Sequence, residues 1–270
     1  MAPALVAGHL TATRVWQRGG VRPVLALHCS LAHAGAWAGL AEAVRGVTVT
    51  AFDQPGHGRS GDWDGSGDYH ALATRIAVAL AGGLGSGQPV DLFGHSFGGT
   101  VALRMAVERP DLVRSLTLFE PVLFAAARDR AEFVPFQASH LELVQLLADG
   151  DRTGAAALFQ GQWGTGAFAD LPDRQRSYIT DRIHLIAAQN PVLLDDAAGL
   201  LQPGRLEAVR VPVLLIEGGQ SPAIIGAVQS VLARRMPRVT RRVVPEAAHM
   251  VPITHPLAVA AAVQTHLDAS

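Results

Sequence analysis

The sequence predicts an α/β fold in which a mostly parallel sheet is flanked by helices, with an inserted block of extra helices. Short apolar segments rich in β-branched residues alternate with segments of helical spacing before residue 121 and again after residue 209. Residues 122–208 interrupt this alternation with a long segment whose composition is typical of helices. We therefore expect a core formed by residues 1–121 and 209–270 and a helical cap insertion at 122–208.

Local patterns predict each element in turn. The stretch 47–52 contains only Val, Thr, Ala and Phe, as expected for a strand that is buried on both faces. The stretch 69–84 has the apolar spacing of an amphipathic helix. Similar patterns predict an opening hairpin within 5–16, strands at 23–28, 47–52, 90–93, 115–120, 211–216 and 240–244, and helices at 37–44, 69–84, 100–108, 222–236 and 255–267.

Composition excludes several classes of function. The formal net charge of −1 provides no basic field for nucleic acid or for an anionic membrane. All 22 basic residues are Arg, which excludes Schiff-base and P-loop lysine chemistry, and the single Cys29 excludes intrachain disulfides. Neither a secretory leader nor an apolar run of membrane-spanning length is recognisable. We expect a cytoplasmic monomer or homodimer that acts on a small molecule without a metal or cofactor.

The most informative motif lies at 94–98, where the sequence is Gly-His-Ser-Phe-Gly. An apolar strand ends at Phe93 and a helix begins near Thr100, so the motif must form a sharp turn between them. Such a turn strains the backbone of its apex residue, and a Cβ at either flanking glycine would collide with neighbouring elements. The turn holds the Ser96 hydroxyl at the edge of the sheet, at the positive end of a helix. Ser96 is the candidate nucleophile.

A serine nucleophile needs a base, and His249 is the candidate. It follows the last predicted strand in a loop of small residues, which matches the chain order serine, acid, histidine. His28 ends a strand and is expected to bond to loop backbone, whereas His57 lies in a Gly-rich turn and is expected to have a structural role. The side chain of His95 is expected to point away from that of its neighbour Ser96.

Together these segments resemble an alpha/beta-hydrolase of the group that carries an inserted helical cap. The resemblance covers nearly the whole chain and rests on the stretches 28–37, 53–60, 94–99, 212–222 and 247–256. The loops in these stretches leave the carboxyl ends of predicted strands, where ligands bind in parallel sheets. The resemblance implies the alpha/beta-hydrolase fold and the activity of a capped serine hydrolase or esterase.

The acid of the site departs from the usual pattern of this family. The family commonly has an Asp a few residues after the strand that ends here at Ile216, but this chain has Ser221 there. Some members, including haloalkane dehalogenases, place the acid after the strand that follows the nucleophile helix, which corresponds to Glu120. We predict Glu120 as the acid, with Glu217 as its rival and a site without an acid as the third alternative.

Two backbone N–H groups are needed to bind the oxyanion of a tetrahedral intermediate. One is predicted at Phe97, which follows the nucleophile at the start of its helix. The resemblance implies that the second comes from the loop after His28, where the family has His-Gly followed by the donor. Here Cys29 replaces that glycine, so Ser30 is the predicted donor and Cys29 is expected to be a small buried hydrophobe.

The insertion is expected to form the roof of the substrate pocket. Phe124, Phe136 and Trp163 are the predicted substrate contacts, although their spacing fits the internal core of the insertion equally well. No dense charged cluster occurs in the insertion, which disfavours a highly charged substrate. The predicted activity is hydrolysis of a small to medium carboxylic ester or lactone through an acyl-enzyme on Ser96.

Two alternatives use the same fold. Hydrolysis of a carbon–carbon bond, or cofactor-free perhydrolysis, would employ the same serine, histidine and acid. A non-catalytic binding module is the alternative of another class, and the missing Asp at position 221 motivates it.

Overall fold

A seven-stranded sheet forms the centre of the computed structural model, which describes residues 2–17 and 19–270. The strands in these residues are β1 (Ala4–Val6), β2 (His9–Thr11), β3 (Thr13–Gln17), β4 (Arg22–Leu27), β5 (Val47–Phe52), β6 (Val90–His95), β7 (Val113–Phe119), β8 (Val213–Gly218) and β9 (Val239–Val244). The large sheet has the order β3-β5-β4-β6-β7-β8-β9. Only β3 runs antiparallel to its neighbour among these strands, so the predicted, mostly parallel sheet is confirmed.

Helices cover both faces of the sheet and also fill the interval between β7 and β8. The α-helices in the described ranges are α1 (Ala38–Ala43), α2 (Tyr69–Gly85), α3 (Phe97–Glu108), α4 (Phe133–Ala148), α5 (Arg152–Trp163), α6 (Asp173–Arg182), α7 (His184–Leu193), α8 (Ala223–Arg235), α9 (Val251–Thr254) and α10 (Pro256–Asp268). None of the helices in these ranges is both long and apolar enough to cross a membrane.

Alternating side chains of the central strands supply two hydrophobic cores. In β4, Leu25 and Leu27 face the core formed with α2, α3 and α8, whereas Val24 and Ala26 face the core formed with α1 and α10. All four side chains are completely buried. Because successive strand residues point to opposite faces, burial on both sides requires the continuous apolar runs seen in the sequence.

The first strands differ from the predicted opening hairpin. The predicted opening hairpin within 5–16 has residues 5–10 and 13–16 as its two arms, but the observed hairpin is formed by β1 and β2, with Ala4 paired to Thr11. Ala7 and Gly8 at its turn both have positive φ, 49° and 84°, as in the two-residue turns that close hairpins. The second predicted strand, β3, instead joins the large sheet, where Thr13 pairs with Phe52 of β5.

The segment between β7 and β8 is helical only in part. Helices α4 to α7 share a small core of their own, made of Leu143, Ala155, Ala156, Ile179, Ile183 and Ile186. The prediction of helix is wrong for residues 195–208, which form turns. Asp196 has a φ of 51°, and its carboxylate accepts hydrogen bonds from the backbone of Leu200 and Leu201 at 2.8 Å each. These side-chain bonds satisfy backbone groups that a helix would otherwise have paired.

The close approach of α3 to β4 predicts opposite effects for two glycine substitutions. A Cβ on Gly98 would lie 2.3 Å from the Leu27 carbonyl oxygen, whereas a Cβ on Gly82 of α2 would meet nothing within 4 Å. We expect Gly98→Ala to lower the free energy of unfolding by roughly 1–3 kcal/mol through overpacking. Gly82→Ala should raise it by up to about 1 kcal/mol because Ala favours helix. Thermal unfolding of both variants checks this; an unperturbed Gly98→Ala protein would contradict the close approach.

Candidate active site

Ser96 occupies the sharp turn between β6 and α3. Its φ of 55° and ψ of −120° form a strained conformation that a serine adopts only when its surroundings hold it there. The Ser96 N–H donates to the Phe119 carbonyl at 2.9 Å, and the Thr100 N–H donates to the Ser96 carbonyl at 3.1 Å. The strained strand-to-helix turn expected from the motif is therefore present in the structure.

A chain of hydrogen bonds links Ser96, His249 and Glu120. The Ser96 Oγ lies 3.0 Å from His249 Nε2, and His249 Nδ1 lies 2.6 Å from Glu120 Oε2. A carboxylate can only accept, so Nδ1 carries the imidazole proton and Nε2 is left to accept the Ser96 proton. Glu120 is fully buried, and Ser96 and His249 are only 6% and 3% exposed. Burial strengthens such a chain because water does not compete for its members.

The Glu120 carboxylate is held by groups from the neighbouring strand as well as by His249. Its Oε1 accepts from the Gly218 N–H at 2.5 Å and from the Ser221 hydroxyl at 2.6 Å. Glu120 itself has a φ of 49° at the end of β7. Ser221 stands where the family resemblance places an acid, and it binds the acid that comes from the adjacent strand. Sequence reasoning did not anticipate this contact.

Glu217 lies away from this chain of bonds. Its carboxylate is 3.1 Å from Nη2 of Arg241, and partial burial raises its pKa. Among the described residues, Glu217 makes no hydrogen bond with His249. Its side chain lies against α8 instead, where a Cβ on Gly226 would be 2.8 Å from its Oε1.

His95 holds the backbone of His249. Its Nε2 lies 2.8 Å from the His249 carbonyl oxygen, and the two rings are 5.2 Å apart. A carbonyl only accepts, so Nε2 of His95 carries a proton and donates. Burial and the nearby His249 hold the pKa of His95 well below its usual value, so the ring is neutral. The sequence predicted that His95 points away from Ser96 but gave no sign that it supports His249.

The backbone N–H groups of Ser30 and Phe97 are without acceptors. Neither group finds a hydrogen-bond partner within residues 2–17 and 19–270, although the two residues are only 7% and 1% exposed. Phe97 is the first residue of α3, where backbone N–H groups have no partner inside the helix, so both N–H groups are available to a bound ligand. Ser30 and Ser96 line the same cavity, which brings the Ser30 loop next to the serine.

Two buried histidines fix the loop that carries Ser30. The Leu31 N–H donates to Nε2 of His57 at 3.0 Å, and the Gln54 N–H donates to Nε2 of His28 at 2.9 Å. Burial lowers the pKa of both histidines to about 3, which keeps these nitrogens free to accept. His28 therefore bonds to loop backbone, as the sequence predicted, and His57 has the structural role expected of it.

Comparison with known proteins places these features in a family. The model of the alpha/beta hydrolase fold family matches residues 22–256. The chain belongs to this family. Lipase LipV of Mycobacterium tuberculosis is 29% identical over 259 residues, which cover 92% of this chain and 94% of LipV. Human monoglyceride lipase is 30% identical over 138 residues, which cover 48% of this chain and 46% of that protein.

Solved structures agree at the level of the fold. The crystal structure of a hydrolase from Pseudomonas aeruginosa matches this alpha/beta hydrolase with a TM-score of 0.77 at 21% identity, covering 98% of this chain and 97% of the other. The predicted superfamily, the fold class and the prediction of a hydrolase are thereby confirmed.

A cavity of about 40 Å³ lies against Ser96 in this hydrolase. The Trp163 ring is 4.8 Å from the His249 ring, and the Phe124 and Phe136 rings are 4.1 Å apart. All three aromatic residues line the cavity and pack in the main core, not in the small core of the inserted helices. Besides the predicted Ser30, this lining has polar residues that sequence reasoning missed, because isolated polar positions on helices carry no motif: His140, Gln162, Gln189 and Asn190.

A larger groove of about 1170 Å³ opens beside the cavity. It lies between the loop around Ser30 and the helices α5 and α6, and Ser30 and Phe159 line both spaces. Its charged lining consists of Arg14, Arg59, Arg174, Arg182 and Asp53. No group of three or more His, Cys, Asp or Glu side chains suited to a metal ion occurs in the described ranges.

Proposed function

We propose that this hydrolase cleaves small to medium carboxylic esters or lactones through an acyl-enzyme on Ser96. The observation that carries the proposal is the hydrogen-bonded chain from Ser96 through His249 to Glu120, which ends at a cavity beside the serine. The names of LipV and monoglyceride lipase support ester bonds as the target.

In the first half of the reaction, His249 Nε2 takes the Ser96 proton as Oγ attacks the ester carbonyl. The charge that develops on the carbonyl oxygen is stabilised by the free N–H groups of Ser30 and Phe97. Glu120 stabilises the imidazolium and keeps the proton of the resting imidazole on Nδ1. The imidazolium then gives its Nε2 proton to the departing alcohol, which leaves an acyl group on Ser96.

In the second half, water enters where the alcohol has left. His249 Nε2 takes a proton from this water, and the resulting nucleophile attacks the acyl carbonyl. Collapse of the second tetrahedral intermediate returns the proton to Ser96 and releases the acid. The neutral His95 holds the His249 backbone in one position through both transfers, since its Nε2 keeps its proton and donates it in a hydrogen bond to the His249 carbonyl.

The cavity at Ser96 and the groove that shares Ser30 with it suit the two parts of an ester. We assign the acyl group to the cavity of about 40 Å³ and the alcohol to the groove of about 1170 Å³. Pockets for drug-sized ligands measure roughly 300–1,000 Å³, so the small cavity favours a short acyl chain. Residues 122–208 would act as a cap, because Phe136 of α4 and Trp163 of α5 close this cavity.

Hydrolysis of a series of p-nitrophenyl esters tests the activity. We expect the highest kcat/KM for acetate to butyrate esters and a steep fall with longer chains, because the cavity cannot hold them. A fluorophosphonate probe should label the wild type and leave Ser96→Ala unlabelled. A folded wild type that neither hydrolyses these esters nor reacts with the probe would contradict the proposal and favour a binding module.

The two candidate acids predict different kinetics for matched substitutions. Glu120→Gln should lower kcat by roughly 10²–10⁴-fold, because an amide opposite Nδ1 no longer enforces the correct imidazole tautomer. Glu217→Gln removes a carboxylate near the end of the neighbouring strand β8. This carboxylate contacts Arg241 and not His249, so the kcat of the variant should stay within a few-fold of wild type. Steady-state kinetics on p-nitrophenyl acetate measure the kcat of both variants. Near-full activity in Glu120→Gln would overturn its assignment.

A further inference from the structure

The cavity beside Ser96 is lined by polar side chains as well as by aromatic ones. Gln189 of α7 is only 2% exposed and lines this cavity. The Ser30 hydroxyl donates to Gln189 Oε1 at 2.8 Å, whereas Gln189 Nε2 has no partner among the described residues. The amide N–H groups are therefore the unsatisfied part of this buried side chain.

An unsatisfied buried amide is costly to the folded protein. Leaving such a group without a partner costs on the order of 1–3 kcal/mol, so native proteins rarely keep one without a reason. A hydrophobic side chain on α7 would fill the same space without that cost. Nε2 of His140, which lines the same cavity, is also buried without a partner.

The position of Gln189 points to the acyl part of the substrate. Its amide is bonded to the side chain of Ser30, whose backbone N–H is the proposed oxyanion donor. An atom that receives a hydrogen bond from Gln189 Nε2 must therefore lie near the reacting carbonyl group. An oxygen on the α- or β-carbon of a short acyl chain satisfies this requirement and also fits a cavity of about 40 Å³.

We propose that Gln189 selects acyl groups that carry a hydrogen-bond acceptor, such as an ether, hydroxyl or keto oxygen, on the α- or β-carbon. This inference rests on the proposed ester hydrolysis at Ser96. The acceptor pairs with the amide N–H that the free enzyme leaves unsatisfied. Sites built to hydrogen-bond a substrate oxygen discriminate against analogues that lack it, because the buried polar group is then left unpaired.

A matched pair of substrates tests the proposal. p-Nitrophenyl methoxyacetate and p-nitrophenyl butyrate have the same chain length, and only the first carries an acceptor oxygen in the acyl chain. The ratio of their kcat/KM values is measured in the wild type and in Gln189→Met, which keeps the side-chain length but removes the N–H donors. Dividing one ratio by the other cancels the intrinsic reactivity of the esters. Gln145→Met is the matched control, since Gln145 lies exposed on α4 outside both spaces.

We expect the ratio of methoxyacetate to butyrate to fall about tenfold in Gln189→Met, which corresponds to about 1.4 kcal/mol. The ratio should be unchanged in Gln145→Met. A ratio that stays within twofold in Gln189→Met would overturn the inference and leave a single water as the partner of the amide. If the wild type hydrolyses neither ester and escapes a fluorophosphonate probe, the proposed function itself fails, which is a distinguishable result.

A measurement on the wild type alone covers the case in which Gln189→Met does not fold. Methoxyacetamide and butyramide are neutral analogues of the two acyl groups and are compared as competitive inhibitors of p-nitrophenyl acetate hydrolysis. Tighter inhibition by methoxyacetamide, by several-fold, supports the acceptor site. Equal or weaker inhibition by methoxyacetamide overturns it.

Discussion

The buried carboxylate of Glu120 must be satisfied by hydrogen bonds, and three groups meet this requirement: His249, the Gly218 N–H and the Ser221 hydroxyl. A charge taken out of water is tolerated only when it is paired in this way. The same contacts fix the orientation of the imidazole, because only its Nδ1 proton can face the carboxylate. Every step proposed for Ser96 depends on that orientation.

The sheet brings these groups together from distant parts of the chain. Ser96 directly follows β6, Glu120 directly follows β7 and Gly218 ends β8, and these three strands are adjacent and parallel. Their carboxyl ends therefore lie side by side, and only His249 arrives from a longer loop after β9. Since β7 lies between the other two strands, an acid at its end can reach both the imidazole and the backbone of β8. Because β7 supplies the acid, position 221 needs no carboxylate, and the Ser221 hydroxyl there binds the Glu120 carboxylate.

Much of this arrangement could be predicted from sequence because it follows from local rules. The apolar runs of the buried strands, the glycines around Ser96 and the late position of His249 each express one steric or topological constraint. The missing acid at Ser221 called for another carboxylate, and the resemblance to family members with the acid after the strand that follows the nucleophile helix favoured Glu120 over Glu217.

Other features depend on tertiary contacts that leave no local pattern. The hydrogen bond from His95 to the His249 carbonyl and the one from Ser221 to Glu120 each join residues about a hundred or more positions apart. Gln189 lies in an unremarkable helical segment, and only the packing of α7 over the cavity reveals that its amide is unsatisfied. The hairpin of β1 and β2 was missed because its turn uses Ala7, which rarely adopts a positive φ.

The signal of the His249 Nδ1 proton in ¹H NMR tests the central contact most directly, because a short bond to a carboxylate moves such a proton far downfield. The wild type and Glu217→Gln should both show this resonance, and His249→Gln, which assigns it, should not. In Glu120→Gln the resonance should disappear or move strongly upfield. A Glu120→Gln protein that keeps the downfield proton, beside a Glu217→Gln protein that loses it, would contradict the assignment of Glu120 as the partner of His249.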